Sequence, residues 1–337
     1  MKRVPKFAVL TLSAMLALSG CGMTSDPLPG TTGEDGQPVA VTTQDYAPAE
    51  VVKPKDGKKV KIGASFPLLD QFLQNVANSI KARGEAAGAE VSVTSAEEKI
   101  EVQLNQIENF IASGVDALIV LPQDTATTAQ ITQKAKAANI PLVYVNRRPT
   151  DLPKGVPYVG SDSLVAGQLE MEQLAKLSNH QGNVAILQGD PTQEAAQQRT
   201  KGCEEIAAKY DMKVVFNQTG LWMRDKGLAL AENLIQSGQQ VDVICANNDE
   251  MALGAINAFE NAGMLDKVLV GGVDATGDAL TAMAAGKLEV TVFQDAKGQG
   301  QAGVDTAIRM INGDEVPDVI NVPYQLVTPE NMSQFQQ

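Results

Sequence analysis

The sequence predicts an α/β protein built as two parallel-sheet lobes, and three observations carry the prediction. Short runs of Val, Ile, Leu and Ala alternate with longer runs of helical periodicity along most of the chain. The short runs are apolar at nearly every position instead of every second one, as strands covered on both faces are. The rhythm pauses in YVGSDSLVAGQ, 158–168, and then starts afresh, which implies a crossing from one α/β unit to another. In order, VKIGASF (60–66) leads into a helical stretch over 71–87, EVSVTSA (90–96) into 99–113, DALIVLP (116–122) into 125–138, and PLVYV (141–145) follows. NVAILQG (183–189) then leads into 193–208, MKVVFNQ (212–218) into 225–237 and VDVICAN (241–247) into 249–262. KVLVGGVD (267–274) leads into 276–285 and LEVTVFQD (288–295) into 299–312. Thr125 and Asp162 stand where a side-chain oxygen caps the first N–H groups of a helix.

The N-terminus has another character. Lys2, Arg3 and Lys6 precede the apolar run Phe7–Leu18, which is too short to span a bilayer and reads as an export signal over residues 1–20. Leu18-Ser19-Gly20 before Cys21 resembles a bacterial lipobox, so Cys21 is the expected site of lipid attachment. Gly22 is not the aspartate of an inner-membrane retention signal, which favours the outer membrane in a cell that has two. Residues 21–58, rich in Gly, Pro, Thr and charge, read as a flexible tether. The chain carries 27 Lys+Arg against 40 Asp+Glu, and losing the signal makes it more acidic still, which argues against nucleic acid as a partner. A lipid anchor on the periplasmic side of a bacterial membrane, or on the cell surface, is the expected location.

Several chemistries fall away. One histidine, His180, and three cysteines supply no zinc cluster, and neither a G-x-S-x-G elbow nor a Walker A loop is present. Gly298-x-Gly300-x-x-Gly303 matches a dinucleotide fingerprint, but it stands near the end of the chain with no acidic residue closing a following strand; close helix packing explains it better. Cys203 and Cys245 fall in the same second unit, as a disulfide or as two buried thiols.

Polar and aromatic residues gather instead at strand ends. Asp70, Gln71 and Phe72 follow the first strand, Gln123 and Asp124 the third, Asn146, Arg147 and Arg148 the fourth. In the second unit Asp190 and Arg199, Trp222 and Arg224, Asn247 to Asp249, Asp274 and Gln294 stand in equivalent places. Ligands of open parallel sheets bind outside the carboxyl ends of the strands, so two such edges facing across a hinge form a cleft.

CANNDEMALGAINAFENAG (245–263) and VLVGGVDATGDALTAMAAGKLEVTVFQD (268–295), with IPLVYVNRR and VGSDSLVAG, resemble type I periplasmic solute-binding proteins of the ribose/galactose class. The likeness spans about residues 59–327. It implies two Rossmann-like lobes joined by a three-strand hinge, an N-terminal lobe of 59–160 plus 295–320, and a C-terminal lobe of 161–294 plus 321–337. It also implies a monomer without enzymatic activity or cofactor, which binds one sugar by hinge closure and delivers it to an ABC permease. Galactose binders of this class often carry a calcium loop, but no D-x-N-x-x-x-Q-like run is present, so no metal is expected. A receptor feeding a chemotaxis or two-component sensor is the alternative. Carried over by motif, Phe72 and Trp222 are the stacking aromatics, Asp70 or Gln71 with Asn146 and Arg147 the first-lobe polar contacts, and Arg199, Asn248 and Asp274 the second-lobe contacts, with Gln294 near the hinge.

Each has an ordinary alternative: core packing for Phe72, a surface plug for Trp222, helix caps for Asn248 and Asp274, a surface charge for Arg199. Asp190 and Arg224 read as solvated or supporting residues. Neighbours on an extended chain point apart, and Pro149 holds Arg148 extended, so Arg147 is the expected clamp while Arg148 braces the rim or meets solvent. Ribose binders typically keep Asp-Arg where this chain has Asn146-Arg147, a departure that points to a hexose, pentopyranose or cyclitol such as inositol. Amides, carboxylates and the rigid guanidinium fork suit a hydroxylated ring, and aromatic faces cover its C–H surface.

Overall fold

The computed structural model describes residues 41–335, apart from 49 and 127. The signal segment, Cys21 and the tether as far as residue 40 lie outside the described residues. The chain runs β1 (Thr43–Asp45), β2 (Lys61–Phe66), α1 (Gln71–Ala87), β3 (Glu90–Ser95), α2 (Ile100–Ala112), β4 (Ala117–Val120), α3 (Thr128–Ala137), β5 (Leu142–Val145), β6 (Tyr158–Gly160) and α4 (Ser163–Leu177). It continues with β7 (Asn183–Gln188), α5 (Glu194–Lys209), β8 (Lys213–Thr219), α6 (Arg224–Gln236), β9 (Val243–Ala246), α7 (Asp249–Asn261), β10 (Leu269–Gly271) and α8 (Gly277–Ala284). Strand β11 (Thr291–Phe293), α9 (Ala296–Ile311), β12 (Val319–Asn321) and β13 (Gln325–Val327) complete it.

These elements make an α/β fold of two sheets. One has seven parallel strands in the order β1-β12-β6-β5-β4-β2-β3, the other four parallel strands in the order β10-β9-β7-β8. An antiparallel pair, β11 with β13, adjoins the second sheet through bridges at Gly271–Val290 and Asp274–Phe293. The lack of alternation in the strands now has its reason. In β4, Ala117 and Ile119 face a core shared with α1 and α9, while Leu118 and Val120 face another shared with α2 and α3. The fully buried Leu118, Ile119 and Val120 side chains each contribute roughly 1.5–3 kcal/mol by leaving water. The chain passes between the sheets three times: from β6 to α4, from β11 to α9, and from β12 to β13.

Three expectations need correcting. Residues 41–58 are not all tether. Strand β1 pairs with β12, while Tyr46, Val51 and Val52 pack on the α1/α9 core. A buried ion pair fixes that segment: Arg83 Nε and Nη2 donate to Asp305 at 2.8 and 2.6 Å, and Nη2 also reaches the Glu50 carbonyl at 3.2 Å. A three-residue polar edge strand has no apolar period to read, and its partner is far away in sequence. Helix α3 begins at Thr128, and the Thr125 hydroxyl donates across the cleft to the Thr192 carbonyl (3.1 Å) instead of capping. Helix α4, absent from the expected rhythm, begins straight after the first crossing, with Asp162 as the expected cap accepting from Leu164 N–H.

Glycines set the helix contacts. A Cβ on Gly167 would stand 2.0 Å from the Arg199 carbonyl oxygen, and one on Gly202 2.6 Å from the Leu164 carbonyl oxygen, so α4 and α5 touch backbone to backbone. The apparent dinucleotide fingerprint packs in the same way: Gly300 lies against Ser79 of α1 and Gly303 against Val145.

Candidate ligand-binding site

The first-lobe side forms at the carboxyl ends of β2 and β5. Asp70 caps α1, its Oδ1 accepting from Leu73 N–H at 2.7 Å. Burial raises its pKa, against the pull of the Leu73 N–H and of Arg147. Phe72 follows on α1, buried at the edge of the core with its ring lining the cleft. Asn146 takes a left-handed backbone, φ 65°. Its Nδ2 donates to Gln299 (3.0 Å), and its carbonyl accepts from the Tyr158 hydroxyl (2.8 Å). Arg147, 8% exposed, holds the carbonyls of Pro122 and Gln123 only at 3.4 Å. Burial pulls its pKa down to about 10, partly offset by Asp70 and Asp190. A guanidinium so weakly engaged retains donors for a guest.

The second-lobe side forms at the ends of β7, β8, β9 and β10. Arg199, 4% exposed on α5, donates from Nη1 to the Asn247 carbonyl (2.6 Å) and from Nη2 to Gln294 Oε1 (2.6 Å) and the Tyr324 hydroxyl (2.7 Å). Its guanidinium lies 5.5 Å from the Trp222 ring centroid and 3.9 Å from Asp274 Oδ1. Burial would lower its pKa, but Tyr324 and Asp274 outweigh that and raise it. Asp274 is buried with φ 124°, and desolvation drives its pKa well up while Arg199 opposes. Thr276, not Asp274, caps α8. Trp222 also has a left-handed φ, 69°, and its indole N–H donates to Gln193 Oε1 at 3.1 Å. A Cβ on Gly189 would stand 2.3 Å from the benzo ring, so the indole rests on bare backbone. Asn248 does cap α7, and its Nδ2 also holds the Trp222 carbonyl at 3.1 Å. Asn146, Trp222 and Asp274 thus all adopt a conformation costly for side-chain-bearing residues, the kind of strain that collects at functional sites.

These side chains line one small cavity between the lobes, the kind of place, at a domain interface, where small-molecule sites form. Asp70, Phe72, Asn146, Arg147, Arg199, Trp222, Asn248, Asp274 and Gln294 all line it. Gln71 does not. It lies outside, exposed, and bonds to Asp278 of the other lobe, which Arg224 chiefly and Gln71 in addition hold below the usual carboxylate range. Arg224 pairs with Glu250 and Asp278 at the rim, and Asp190 braces its own loop through Thr192 and Gln193. Arg148 does not meet solvent. It is buried, and its charge reaches Glu194 of the second lobe. Sequence reasoning missed Ser161, Ser163, Gln193 and Tyr324, which also line the cavity. Gln193 was within reach, three residues beyond Asp190; Tyr324 was not, because the short strands flanking it carry no pattern.

Among the described residues, one group of three metal-type side chains stands together, Glu170, Cys203 and Cys245, but the two sulfurs are joined in a disulfide. No helix among the described residues is long and apolar enough to cross a membrane.

Two parallel-sheet lobes joined by three crossings, with a polar and aromatic cavity between them, define a bilobal binding protein. Residues 62–315 match the periplasmic binding protein domain, and the chain belongs to that family, one of solute-binding proteins and not of enzymes. It is 40% identical over 284 residues to a putative rhizopine-binding protein of Rhizobium meliloti, an alignment covering 82% of this chain and 92% of the relative. An ABC transporter solute-binding protein from Bacillus halodurans, solved with bound myo-inositol, is 42% identical with a TM-score of 0.80, covering 84% of this chain and 99% of that one. Another from Actinobacillus succinogenes, solved with D-allose, is 31% identical with a TM-score of 0.78, covering 82% and 100%.

Proposed function

We propose that this protein, exported and lipid-anchored through Cys21, captures a neutral hydroxylated ring of monosaccharide or cyclitol size, inositols foremost, and delivers it to an ABC permease. The observation that carries the reading is the composition of the cavity. Two aromatic faces, Phe72 and Trp222, accompany two guanidinium groups, Arg147 and Arg199, and two carboxyls, Asp70 and Asp274. Formal charges balance, which suits a neutral guest, and each hydroxyl can find a donor and an acceptor. Asn146, where ribose binders keep an acid, and the myo-inositol held by the Bacillus halodurans relative both favour a cyclitol over ribose. The guest's contacts come from both lobes, so it stabilises the closed form by the contacts that only this form completes. Thr125 to Thr192 and Gln71 to Asp278 already bridge the cleft.

Calorimetry with myo-inositol, D-allose, D-ribose and D-xylose tests the reading. Myo-inositol should bind most tightly, and Arg147→Ala and Asp274→Ala should each weaken it more than tenfold while leaving the ligand-free melting temperature nearly unchanged. Unchanged affinity in both variants would remove these residues from the site, and no heat with any ring would defeat the function.

A further inference from the structure

Each of the three crossings carries a side chain tied to a group that lines the cavity. On the first, Ser161 accepts from Gln299 Nε2 at 3.1 Å, and Gln299 Oε1 accepts from Asn146 at 3.0 Å. On the second, Gln294 accepts from Arg199 Nη2 at 2.6 Å. On the third, Tyr324 accepts from the same nitrogen at 2.7 Å, and its ring centroid lies 5.7 Å from the guanidinium carbon. Tyr324 is 9% exposed, packs with Ala166, Val273 and Val292, and faces the cavity.

We propose that Tyr324 is a positioning residue for ligand capture, setting the Arg199 guanidinium in the cavity only at the closed hinge angle. Arg199 stems from α5, inside the second lobe, whereas its two Nη2 acceptors stand on separate crossings. Lobe rotation is absorbed by the backbone torsions of such crossings. One nitrogen can reach both acceptors only over a narrow span of hinge angles, and outside it the guanidinium exchanges a fixed acceptor for water and loses the position that the pair defines. Asn247, which fixes the other arm of the fork, belongs to the second lobe and holds at every angle. Hinge angle and guanidinium position are therefore linked through Tyr324 and Gln294, so a ligand held by Arg199 pulls on closure.

This rests on the proposed binding function, and the experiment separates the two. Tyr324→Phe keeps the ring and its packing and removes only the hydroxyl. Stopped-flow fluorescence of Trp222, the single tryptophan, follows myo-inositol association and dissociation. Tyr324→Phe should melt within a few degrees of the parent, bind at least tenfold more weakly, and show that loss in the dissociation rate. In an Arg199→Lys background the same change should cost less than threefold, because the fork it positions is gone. Affinity within twofold of the parent, or an undiminished loss in the Arg199→Lys background, overturns the proposal. A parent protein that binds neither myo-inositol nor any tested sugar defeats the function itself and this inference with it.

Discussion

Replacing Gly189 by alanine tests how the Trp222 platform is held. The new methyl carbon would stand 2.3 Å from Cζ2 and 2.4 Å from Cε2 and Cη2 of the indole. Carbon atoms settle at about 3.5 Å or more, so the ring must retreat by roughly 1.2 Å. Its pyrrole edge is held by Gln193 and its carbonyl by Asn248, which leaves the cavity as the open direction. Gly189 carries no positive φ, so the alanine adds no backbone strain of its own. Overpacking of this kind costs about 1–3 kcal/mol in stability. A guest must either push the ring back or accept the crowding, and a cost of about 1–3 kcal/mol for this is about a 5- to 150-fold loss of myo-inositol affinity. Titration with myo-inositol, followed by calorimetry and by the emission of the lone tryptophan, reads both effects in one sample. Affinity within threefold of the parent together with an unshifted emission maximum would falsify the account of Trp222 as a platform seated on Gly189.

The structure makes two other measurements informative. Arg83→Ala leaves Asp305 buried without its partner and should cost about 3–5 kcal/mol, read as a lower urea midpoint, with new protease cleavage between residues 46 and 53 as the docked segment lifts. Burial raises the Asp249 pKa from 3.8 to about 7 despite the hydrogen bonds from Thr276 and Thr291. The folded form therefore binds this proton more tightly than the unfolded chain, and the stabilisation present below pH 3.8 is lost as pH rises to 7, at most about 4 kcal/mol. Glu170 and Asp274 are shifted in the same direction. Urea midpoints should fall between pH 4 and 7, and Asp249→Asn should flatten that slope.

The main features of the fold were legible because buried parallel strands and their helices are local signals, each strong over its own few residues. Helix α1 coincides with its expected span, 71–87, since Asp70 caps it and Gly88, with φ 79°, ends it. What stayed hidden was whatever depends on distant partners. Strand β1 is polar and exists only because β12 offers it an edge. Tyr324 becomes meaningful only through Arg199, 125 residues earlier. Gln71 shows the limit of reading by neighbourhood. It sits between two cavity residues in sequence, yet on a helical first turn adjacent side chains diverge, and it reaches the opposite rim. The paired arginines were half understood: Arg147 does face the cavity, but Arg148 is buried as well, its charge felt by Glu194 of the other lobe, a neighbour that no single lobe's sequence contains.

The seven-stranded sheet joins Thr42 and β1 to Asp318 and β12 across 276 residues of chain. That edge of the sheet can therefore be completed only after β12, near the end of the chain, has been made. Sheets closed by such remote pairings fold slowly, because much loop entropy must be surrendered before the last contacts repay it.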